Sequence, residues 1–269
     1  TIKLWSVGER REAAVEERAN AELYEGGSDP AALRVPRVVR RSRAVGARPC
    51  RVYANAHAYH INSVSVNSDG EHFASADDLR VNVWNLEVTD RSFNVVDLKP
   101  PNMEDLTEVI TAAAFHPVDC HQLLYASSKG SIKLFDMRAS ARCDAHAKLL
   151  EDKARDAPAA GDDPQAKSFF SEIVSSLSDA RWDPTGAFVV SRDFLTAKVW
   201  DPRMERAPVA VRAVHPHLRP RLCDLYESDC IFDKFEACAG PGARSLCTGS
   251  YSDAAHVFDA SAASLELDL

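Results

Sequence analysis

The chain has 269 residues, 45% of them hydrophobic, and a formal net charge of −8. This length permits one large domain or two modest ones, each with a packed core. The acidic balance disfavours general nucleic-acid binding. The lack of a long apolar run or an opening signal peptide argues against a membrane protein. Because residue 1 falls inside a predicted strand, a targeting segment can still precede it.

The seven cysteines indicate a reducing compartment. Their number is odd, none forms a Cys-x-x-Cys pair, and no Cys/His spacing matches a zinc site. The sequence also lacks an Asn-x-Ser/Thr glycosylation sequon. We therefore predict a cytoplasmic protein, with the nucleus as a second compartment, in which several cysteines pack as small hydrophobic residues.

The first part of the chain is polar and then strongly basic. Residues 1–5 are typical of the end of a strand-rich repeat, and residues 6–30 of a connection with poor strand character. From residue 30 to residue 68 there is no Asp or Glu. The arginines of this part are Arg34, Arg37, Arg40, Arg41, Arg43, Arg48 and Arg51. Segments 33–39 and 51–53 are predicted to pair as a basic hairpin arm, with a solvated loop or a nuclear-import run as the alternative.

Residues 57–86 contain three predicted strands separated by turns. Residues 61–66 and 80–84 alternate apolar and polar side chains, which is typical of half-buried antiparallel strands. The tetrapeptide Asn-Ser-Asp-Gly at 67–70 predicts a tight reversal, since these residues tolerate the backbone angles that a turn requires. A second strand follows at 73–76.

The same order of strands and turns recurs at 110–136, 178–201 and 234–259, and outer fourth strands are predicted at 92–97 and 209–211. The aromatic residues that align at the ends of the third strands are Trp5, Trp84, Phe135, Trp200 and Phe258. This periodicity predicts an all-β fold, a partial WD40-type β-propeller, with an unrelated β-sandwich as the alternative. The predicted blades are residues 57–98, 106–137, 170–212 and 231–259, with the hairpin arm at 30–56 and an insertion at 138–168.

The segments outside this repeat differ in composition. The insertion is predicted to begin with an outer strand and to continue as a disordered or weakly helical segment. The last ten residues show no clear pattern. Residues 77–108 contain eight acids and three bases, a local net charge of −5, so an acidic sector follows the basic arm. This asymmetry bears on partners rather than on the fold.

Several stretches carry a resemblance to one family, the WD40-type regulatory B subunits of protein phosphatase 2A. They are residues 54–63 (ANAHAYHINS), 75–80 (SADDLR), 89–94 (TDRSFN), 99–113 (KPPNMEDLTEVITAA), 168–173 (SFFSEI) and 225–236 (LYESDCIFDKFE). Many of them lie between repeats, where WD40 sequences in general vary. The resemblance covers most of residues 1–5 and 53–259 and is weak across 6–50 and 139–167. It implies a seven-bladed ring, of which this chain is a fragment: the end of one blade and the next four.

The ring geometry places one set of loops on a common face. Loops that enter innermost strands, and loops between second and third strands, share that face, so Tyr59, His60 and Asp78 are expected to lie together. Met103, Glu104 and Leu106 are expected to form a second group, and Asp193, Tyr226, Asp229 and Phe232 a third. Acids interspersed with exposed apolar groups suit a basic, partly apolar peptide.

The resemblance implies the same role, because the top of the family's propeller is an acidic groove that captures phosphatase substrates. The predicted substrate-binding residues are Tyr59, His60, Asp78, Met103, Glu104, Leu106, Tyr226, Asp229, Phe232 and Lys234. Structural alternatives remain open for most of them. Asp78 can cap a turn, Met103 and Leu106 can be buried under their loop, Tyr226 and Phe232 can pack a blade, and Lys234 can pair with Asp233 or Glu236.

The basic arm has its own implied role. In the family, a hairpin arm grips the helical-repeat scaffold subunit. The residues that match this arm, although loosely, are Leu33, Arg34, Val35, Arg51 and Tyr53. The implied assembly is a heterotrimer of scaffold, catalytic and regulatory subunits that acts on phosphoprotein substrates, without nucleic acid or membrane.

No catalytic constellation occurs in the sequence, and we predict neither a metal nor a cofactor. Metal-dependent phosphatases need Asp, His and Asn ligands for two metals, and no Gly-Asp-x-His-Gly or Gly-Asn-His run is present. His215 and His217 form the only close histidine pair, and the proline between them favours a surface turn. The prediction is therefore a non-catalytic phosphatase regulator. A generic WD40 interaction scaffold of another complex is the alternative, and a propeller enzyme is a third hypothesis.

Overall fold

The computed structural model describes residues 1–15, 38–140, 142–143, 145–152, 164–252, 254–259 and 265–268. The chain divides into two compact units, Thr1–Ala54 and Asn55–Leu269.

The first unit is a two-stranded antiparallel ribbon. Strand β1 (Ile2–Val15) pairs with β2 (Val38–Tyr53), from Ile2 opposite Tyr53 to Val15 opposite Val38. The register shifts after Leu4 and again after Glu12. A basic hairpin is therefore present, but its strands differ from the predicted ones.

The predicted pairing of 33–39 with 51–53 is wrong. Arg51 lies opposite Leu4, and Val39 lies opposite Ala14, so each predicted half of the arm pairs with the preceding strand instead. The prediction that residues 6–30 form a connection with poor strand character is wrong for residues 6–15, which belong to β1, and residues 16–30 lie outside the described residues. Residues 6–15 carry no apolar alternation, and their strand depends on pairing with a distant segment, which a periodicity pattern does not report.

The second unit contains, among its described residues, four antiparallel sheets of four strands each. Sheet 1 consists of β3 (Ser63–Val66), β4 (His72–Ala76), β5 (Arg80–Asn85) and β6 (Ser92–Asp97). Sheet 2 consists of β7 (Ile110–Phe115), β8 (Gln122–Ser127), β9 (Ile132–Asp136) and β10 (Lys148–Leu150). Sheet 3 consists of β11 (Asp179–Trp182), β12 (Val189–Arg192), β13 (Thr196–Trp200) and β14 (Ala210–Ala213). Sheet 4 consists of β15 (Ala237–Ala239), β16 (Ser245–Gly249), β17 (Ala254–Asp259) and β18 (Leu265–Asp268).

Every sheet follows the chain order, so each strand pairs with the next one along the sequence. The strands predicted at 110–115, 254–259 and 92–97 coincide with β7, β17 and β6, and the other repeat strands agree within a few residues. The sequence pattern does not reveal β18, which lies in the last ten residues and pairs with β17, Ala254 opposite Asp268. The all-β prediction is thus confirmed.

The hydrophobic core lies between neighbouring sheets. The first strand of each sheet contacts the first strand of the next, β3 with β7, β7 with β11 and β11 with β15. Between sheets 1 and 2, Val81, Val96 and Ile110 are buried, and between sheets 2 and 3, Leu124 and Trp200 are. Sheets that stack face to face around innermost strands have the arrangement of propeller blades.

Short helices occupy the connections. They are α1 (Pro164–Ser175), α2 (Leu222–Glu227) and 3₁₀ turns at Met103–Asp105, Pro216–Arg221, Cys230–Phe232 and Pro241–Ala243. Helix α1 includes residues 168–173, which are predicted to lead into a blade, and packs beside sheet 3 through Phe170 and Ile173. Among the described helices, none combines the length and apolar character needed to cross a bilayer.

Candidate functional site

The loops predicted to share one face of the ring are hydrogen-bonded to one another. The Ile110 N–H, at the start of β7, donates to the carbonyl oxygen of Asp78 in the β4–β5 loop at 2.8 Å. The Ser128 N–H, in the β8–β9 loop, donates to the Val109 carbonyl at 3.0 Å. The loop that enters β7 therefore lies beside the loops between second and third strands of its own sheet and of the preceding one.

A cleft of about 1000 Å³ runs along the innermost strands of all four sheets. Three predicted substrate-binding residues line it: His60, Asp78 and Lys234. Residues of β7 and β11 line it as well, among them Thr111 and Arg181. The fold thus brings together side chains that are 174 residues apart in the sequence, from His60 to Lys234.

A smaller pocket of about 490 Å³ adjoins the cleft and is more apolar. Phe169 and Ile173 of α1 line one side, and Phe232 lines another. Ser178 and Lys234 line both this pocket and the cleft, so the two cavities meet at these residues. The cleft that Asp78 lines is thus continuous with a pocket that Phe169 and Phe232 line.

An exposed aromatic cluster surrounds the small pocket. The rings of Phe169 and Tyr226 are 5.5 Å apart in an edge-to-face arrangement, and those of Tyr226 and Phe232 are 5.9 Å apart. Phe169 is 48% exposed, Tyr226 40% and Phe232 55%. Large aromatic surface left in water is uncommon unless it serves an interaction. Tyr226 and Phe232 thus contact each other and still present a large part of their surface to solvent.

Phe169 is absent from the residues that the sequence singles out for this site. It lies on α1, sixty-three residues before Phe232. The one sign in the sequence is the matching stretch SFFSEI, which is predicted to lead into a blade. Adjacent phenylalanines on a helix point in different directions, and Phe169 is the exposed ring of this pair.

The turn role considered for Asp78 belongs to its neighbour Asp77. The buried Asp77 carboxylate accepts hydrogen bonds from the N–H groups of Leu79 at 2.9 Å and Arg80 at 2.7 Å. Asp78 contributes only its backbone carbonyl to this turn, and among the described residues its carboxylate has no hydrogen-bond or ion-pair partner. Asp78 lines the cleft, where its carboxylate is available to a ligand.

Asp193 is not a surface residue, so its predicted place beside Tyr226 is wrong. Its carboxylate accepts from the N–H of Leu195 at 3.0 Å and from both the N–H and the hydroxyl of Thr196 at 2.7 and 2.6 Å. Lys198 lies 3.4 Å from the same carboxylate. Asp193 thus holds the β12–β13 turn, as Asp77 holds the β4–β5 turn, and is 5% exposed.

The segment with Met103, Glu104 and Leu106 is a capped 3₁₀ turn. The Asn102 side chain accepts from the Glu104 N–H at 3.2 Å. Met103 and Glu104 are exposed and Leu106 is half-buried, so burial under the loop does not hold for Met103. None of the three lines the cleft or the pocket.

Tyr59 and Asp229 are also exposed and also line neither cavity. Tyr59 directly precedes His60. Asp229 begins the 3₁₀ turn that carries Phe232 and has a positive φ of 60°. Tyr59 is therefore one residue from His60 of the cleft, and Asp229 is three residues from Phe232 of the pocket.

Lys234 forms neither of the two ion pairs considered for it. Asp233 instead accepts from the Tyr251 hydroxyl at 2.8 Å, and Glu236 pairs with Arg181 at 2.5 Å. Within the described chain, the exposed Lys234 ammonium has no ion-pair partner. It is a cation at the junction of the cleft and the pocket.

The predicted scaffold-binding residues are only partly described. Leu33, Arg34 and Val35 lie outside the described residues. Arg51 is half-buried on β2, and Tyr53 is 1% exposed. Tyr53 therefore presents almost no surface in this structure.

Sheet 1 contains a buried polar network that the sequence does not predict. His57 contacts Asp77 through Nδ1 at 2.8 Å and Ser75 through Nε2 at 2.6 Å. The indole N–H of Trp84 donates to the same Ser75 hydroxyl at 2.9 Å. The spacing of Ser75 and Trp84 recurs in sheet 3, and this recurrence is the signal that could have revealed the network. It is a structural element and not part of the surface site.

The His215–His217 pair is not a metal site. His215 is buried, and its Nδ1 lies 3.0 Å from the Phe194 carbonyl while its Nε2 accepts from the Tyr251 N–H at 3.4 Å. Both ring nitrogens are thus used within the fold. Burial, together with the nearby charge of Arg192, lowers the pKa of His215 to about 4, so the ring is neutral at pH 7.

One group of side chains in the described chain has ligand atoms close enough to hold a metal ion. Ligand atoms of Asp119, Cys120 and His121 lie within 4.8 Å of one another. The Asp119 carboxylate, however, already accepts from the His121 N–H at 3.0 Å and from the Gln122 side chain at 2.9 Å. These bonds explain the grouping as an ordinary turn.

Comparison with known proteins identifies a curated relative that matches nearly the whole chain. No family model matches the chain. A curated protein of Schizosaccharomyces pombe, named as a regulatory B subunit of protein phosphatase PP2A, is 51% identical over 258 residues, which is 94% of this chain and 54% of the relative. The resemblance predicted from the sequence is thus confirmed, together with the partial propeller fold. The chain spans about half the length of the curated relative it matches.

Proposed function

We propose that this chain is part of a non-catalytic regulatory subunit of protein phosphatase 2A, which recruits basic substrates through the face that carries the cleft and the small pocket. The observation that carries the proposal is the identity of 51% along nearly the whole chain to a protein named as such a subunit. The matched length is great enough to include the connections between sheets as well as the strands.

The chemistry of the surface supports recruitment of a basic peptide. Asp78 offers an unpaired carboxylate at the cleft, and Glu104 and Asp105 are exposed on the segment before β7. Phe169 and Phe232 offer apolar area in the pocket that adjoins the cleft. In such interfaces the charges steer and orient the partner, and buried aromatic contacts supply most of the affinity.

The proposal includes the assembly and its location. The scaffold subunit is assigned to the basic arm, whose described strands are β1 and β2, and the catalytic subunit is held near the substrate face. The cytoplasm and nucleus are proposed as compartments because the seven cysteines follow no secreted disulfide pattern. Fractionation of cells that express the tagged protein would test the location.

The first experiment is an affinity capture from cell lysate with the protein and its Asp78→Lys variant as baits. The variant reverses the charge of a half-buried side chain at the cleft and leaves the Asp77 carboxylate, which accepts the turn hydrogen bonds, unchanged. Asp90→Lys is the matched control, because Asp90 is an exposed acid whose carboxylate lies 3.9 Å from Arg91 and which lines neither cavity. Recovery of phosphatase subunits and of phosphoproteins with basic flanks is quantified for all three.

The expected result is phosphatase scaffold and catalytic subunits on all three baits. Basic-flanked substrates should fall about tenfold on the Asp78→Lys bait alone, which corresponds to about 1.4 kcal/mol. Loss of phosphatase from every bait would contradict the regulatory role and favour a WD40 scaffold of another complex. An equal loss of substrates with Asp90→Lys would contradict the assignment of the cleft.

A further inference from the structure

Two cysteines face each other on neighbouring strands of sheet 4. Cys238 of β15 lies directly opposite Cys247 of β16. Directly opposed residues of an antiparallel pair point to the same face of the sheet, so both thiols lie on one face. In the strand pairings that the structure describes, no other cysteine lies opposite a cysteine.

The backbone geometry suits a bond between them. The Gly240 N–H donates to the Ser245 carbonyl at 2.8 Å, so these two residues form a hydrogen-bonded pair. Cys238 and Cys247 are two positions further along the ladder and belong to the same class of pair, whose Cα atoms are about 5.5 Å apart. Disulfides span Cα separations of about 4.4–6.8 Å, so the Cα separation of this class of pair lies within the range that a disulfide spans.

The thiols also differ in their surroundings. Cys238 is exposed and lines the cleft, whereas Cys247 is half-buried. Burial raises the pKa of the Cys247 thiol, and the neighbouring Cys238 thiol raises it further. Cys238 is therefore the thiol that an oxidant in solution meets first, with Cys247 in place to react next.

We propose that Cys238 and Cys247 are an oxidation site, at which a peroxide closes the two thiols into a cross-strand disulfide. The Cys238 thiolate attacks one oxygen of hydrogen peroxide, forms a sulfenic acid and releases hydroxide, which takes up a proton to become water. The Cys247 sulfur then attacks the sulfenic sulfur, forms the S–S bond and releases a second water. The two thiols lose two electrons and the peroxide gains them. A dithiol reductant reverses the step.

The closed bond would join the innermost strand β15 to β16 four residues after Lys234. It would tie the part of β15 that lines the cleft to its neighbouring strand and replace the free Cys238 thiol there with a disulfide. The proposal does not depend on the phosphatase role, because it follows from the strand register, which places both thiols opposite each other on one face of sheet 4.

Peptide mapping of the peroxide-treated protein tests it. Trypsin cleaves after Lys234 and Arg244, so Cys238 and Cys247 fall in different peptides. The reduced protein is treated with hydrogen peroxide, blocked with N-ethylmaleimide and digested without reductant. We expect a linked species two hydrogens lighter than the sum of the two peptides, which dithiothreitol separates. Maleimide labelling of Cys238 should fall about fivefold, and that of the exposed Cys223 less than about twofold.

Controls separate this site from general oxidation. Cys238→Ser and Cys247→Ser should each abolish the linked species, and Cys223→Ser should leave it unchanged. A mixture of ¹⁵N-labelled and unlabelled protein should give only uniformly labelled pairs, since the bond is within one chain. Mixed pairs, bonds to other cysteines, or separate over-oxidation of both thiols without a linked species would overturn the proposal.

Discussion

Sheets 1 and 3 repeat the same motif and complete it with different chemistry. In both, the indole N–H at the end of the third strand donates to a serine nine residues earlier, Trp84 to Ser75 at 2.9 Å and Trp200 to Ser191 at 2.8 Å. In both, an aspartate two residues after that serine accepts the N–H groups of the following turn. The side chain that pairs with this aspartate differs between the sheets.

In sheet 1 that side chain is His57, which bridges Ser75 and Asp77. In sheet 3 it is Lys198, whose ammonium lies 3.4 Å from Asp193 and 3.0 Å from Asp152. A buried carboxylate needs a partner, but an imidazole and an ammonium both satisfy it. The two sheets therefore share the turn and the tryptophan but differ in the side chain that pairs with the turn aspartate.

Substitution of the turn aspartates tests the part of the motif that both sheets share. It should give the largest loss in the free energy of unfolding. Asp77→Ala leaves two turn N–H groups and His57 without their acceptor, so we expect a loss of about 3 kcal/mol in the free energy of unfolding. Asp193→Ala should cost a similar amount. Asp78→Ala, the matched control, should cost less than about 0.5 kcal/mol because its carboxylate serves no turn. Urea denaturation measures all three, and equal losses for Asp77 and Asp78 would refute the assignment.

Alanine substitutions of the turn glycines test how closely other side chains pack against the turn in each sheet. Gly70 in sheet 1 and Gly186 in sheet 3 have φ of 70° and 74°, which disfavours any side chain. Gly70→Ala meets no neighbour within 4 Å and should cost about 1 kcal/mol from strain alone. Gly186→Ala places Cβ on the His116 ring and should cost about 1–3 kcal/mol more. If the Gly186→Ala, His116→Ala double variant recovers none of that difference, the clash is not its cause.

A smaller effect should appear in the pH dependence of the free energy of unfolding. It comes from His215, a buried histidine beside sheet 3. His215 titrates near pH 4 in the folded chain and near 6.5 when unfolded, so below pH 6.5 the unfolded chain binds a proton that the folded chain refuses. Stability is therefore lost as the pH falls from 6.5 towards 4, by about 1 kcal/mol at pH 5.5.

The His215→Asn variant should lose this part of the pH dependence, although its stability at pH 7 is lower. His121→Asn changes an exposed histidine and should keep the slope of the unaltered protein. Urea midpoints between pH 7 and 5.5 give the comparison. An unchanged slope in His215→Asn would show that another group carries the effect.

The candidate site could be predicted from the sequence in part. The order of strands and the family resemblance predict that Asp78, His60 and Lys234 share one face, and all three line the cleft. Asp193 was misplaced because an aspartate after a strand can either hold a turn or face solvent, and its hydrogen bonds decide between these. Phe169 was missed because its contact with Tyr226 joins a helix to a distant connection.

The sequence by itself determined most strands of the four sheets and their order. Period-two alternation and turn residues act over a few positions, so they can be recognised without knowledge of the fold. The tertiary structure alone decided the pairing of β1 with β2, the existence of β18, and the contacts of His57 with Asp77 and of Cys238 with Cys247. Each of these depends on which distant segments come to lie side by side, and that is set by packing and by the satisfaction of buried polar groups.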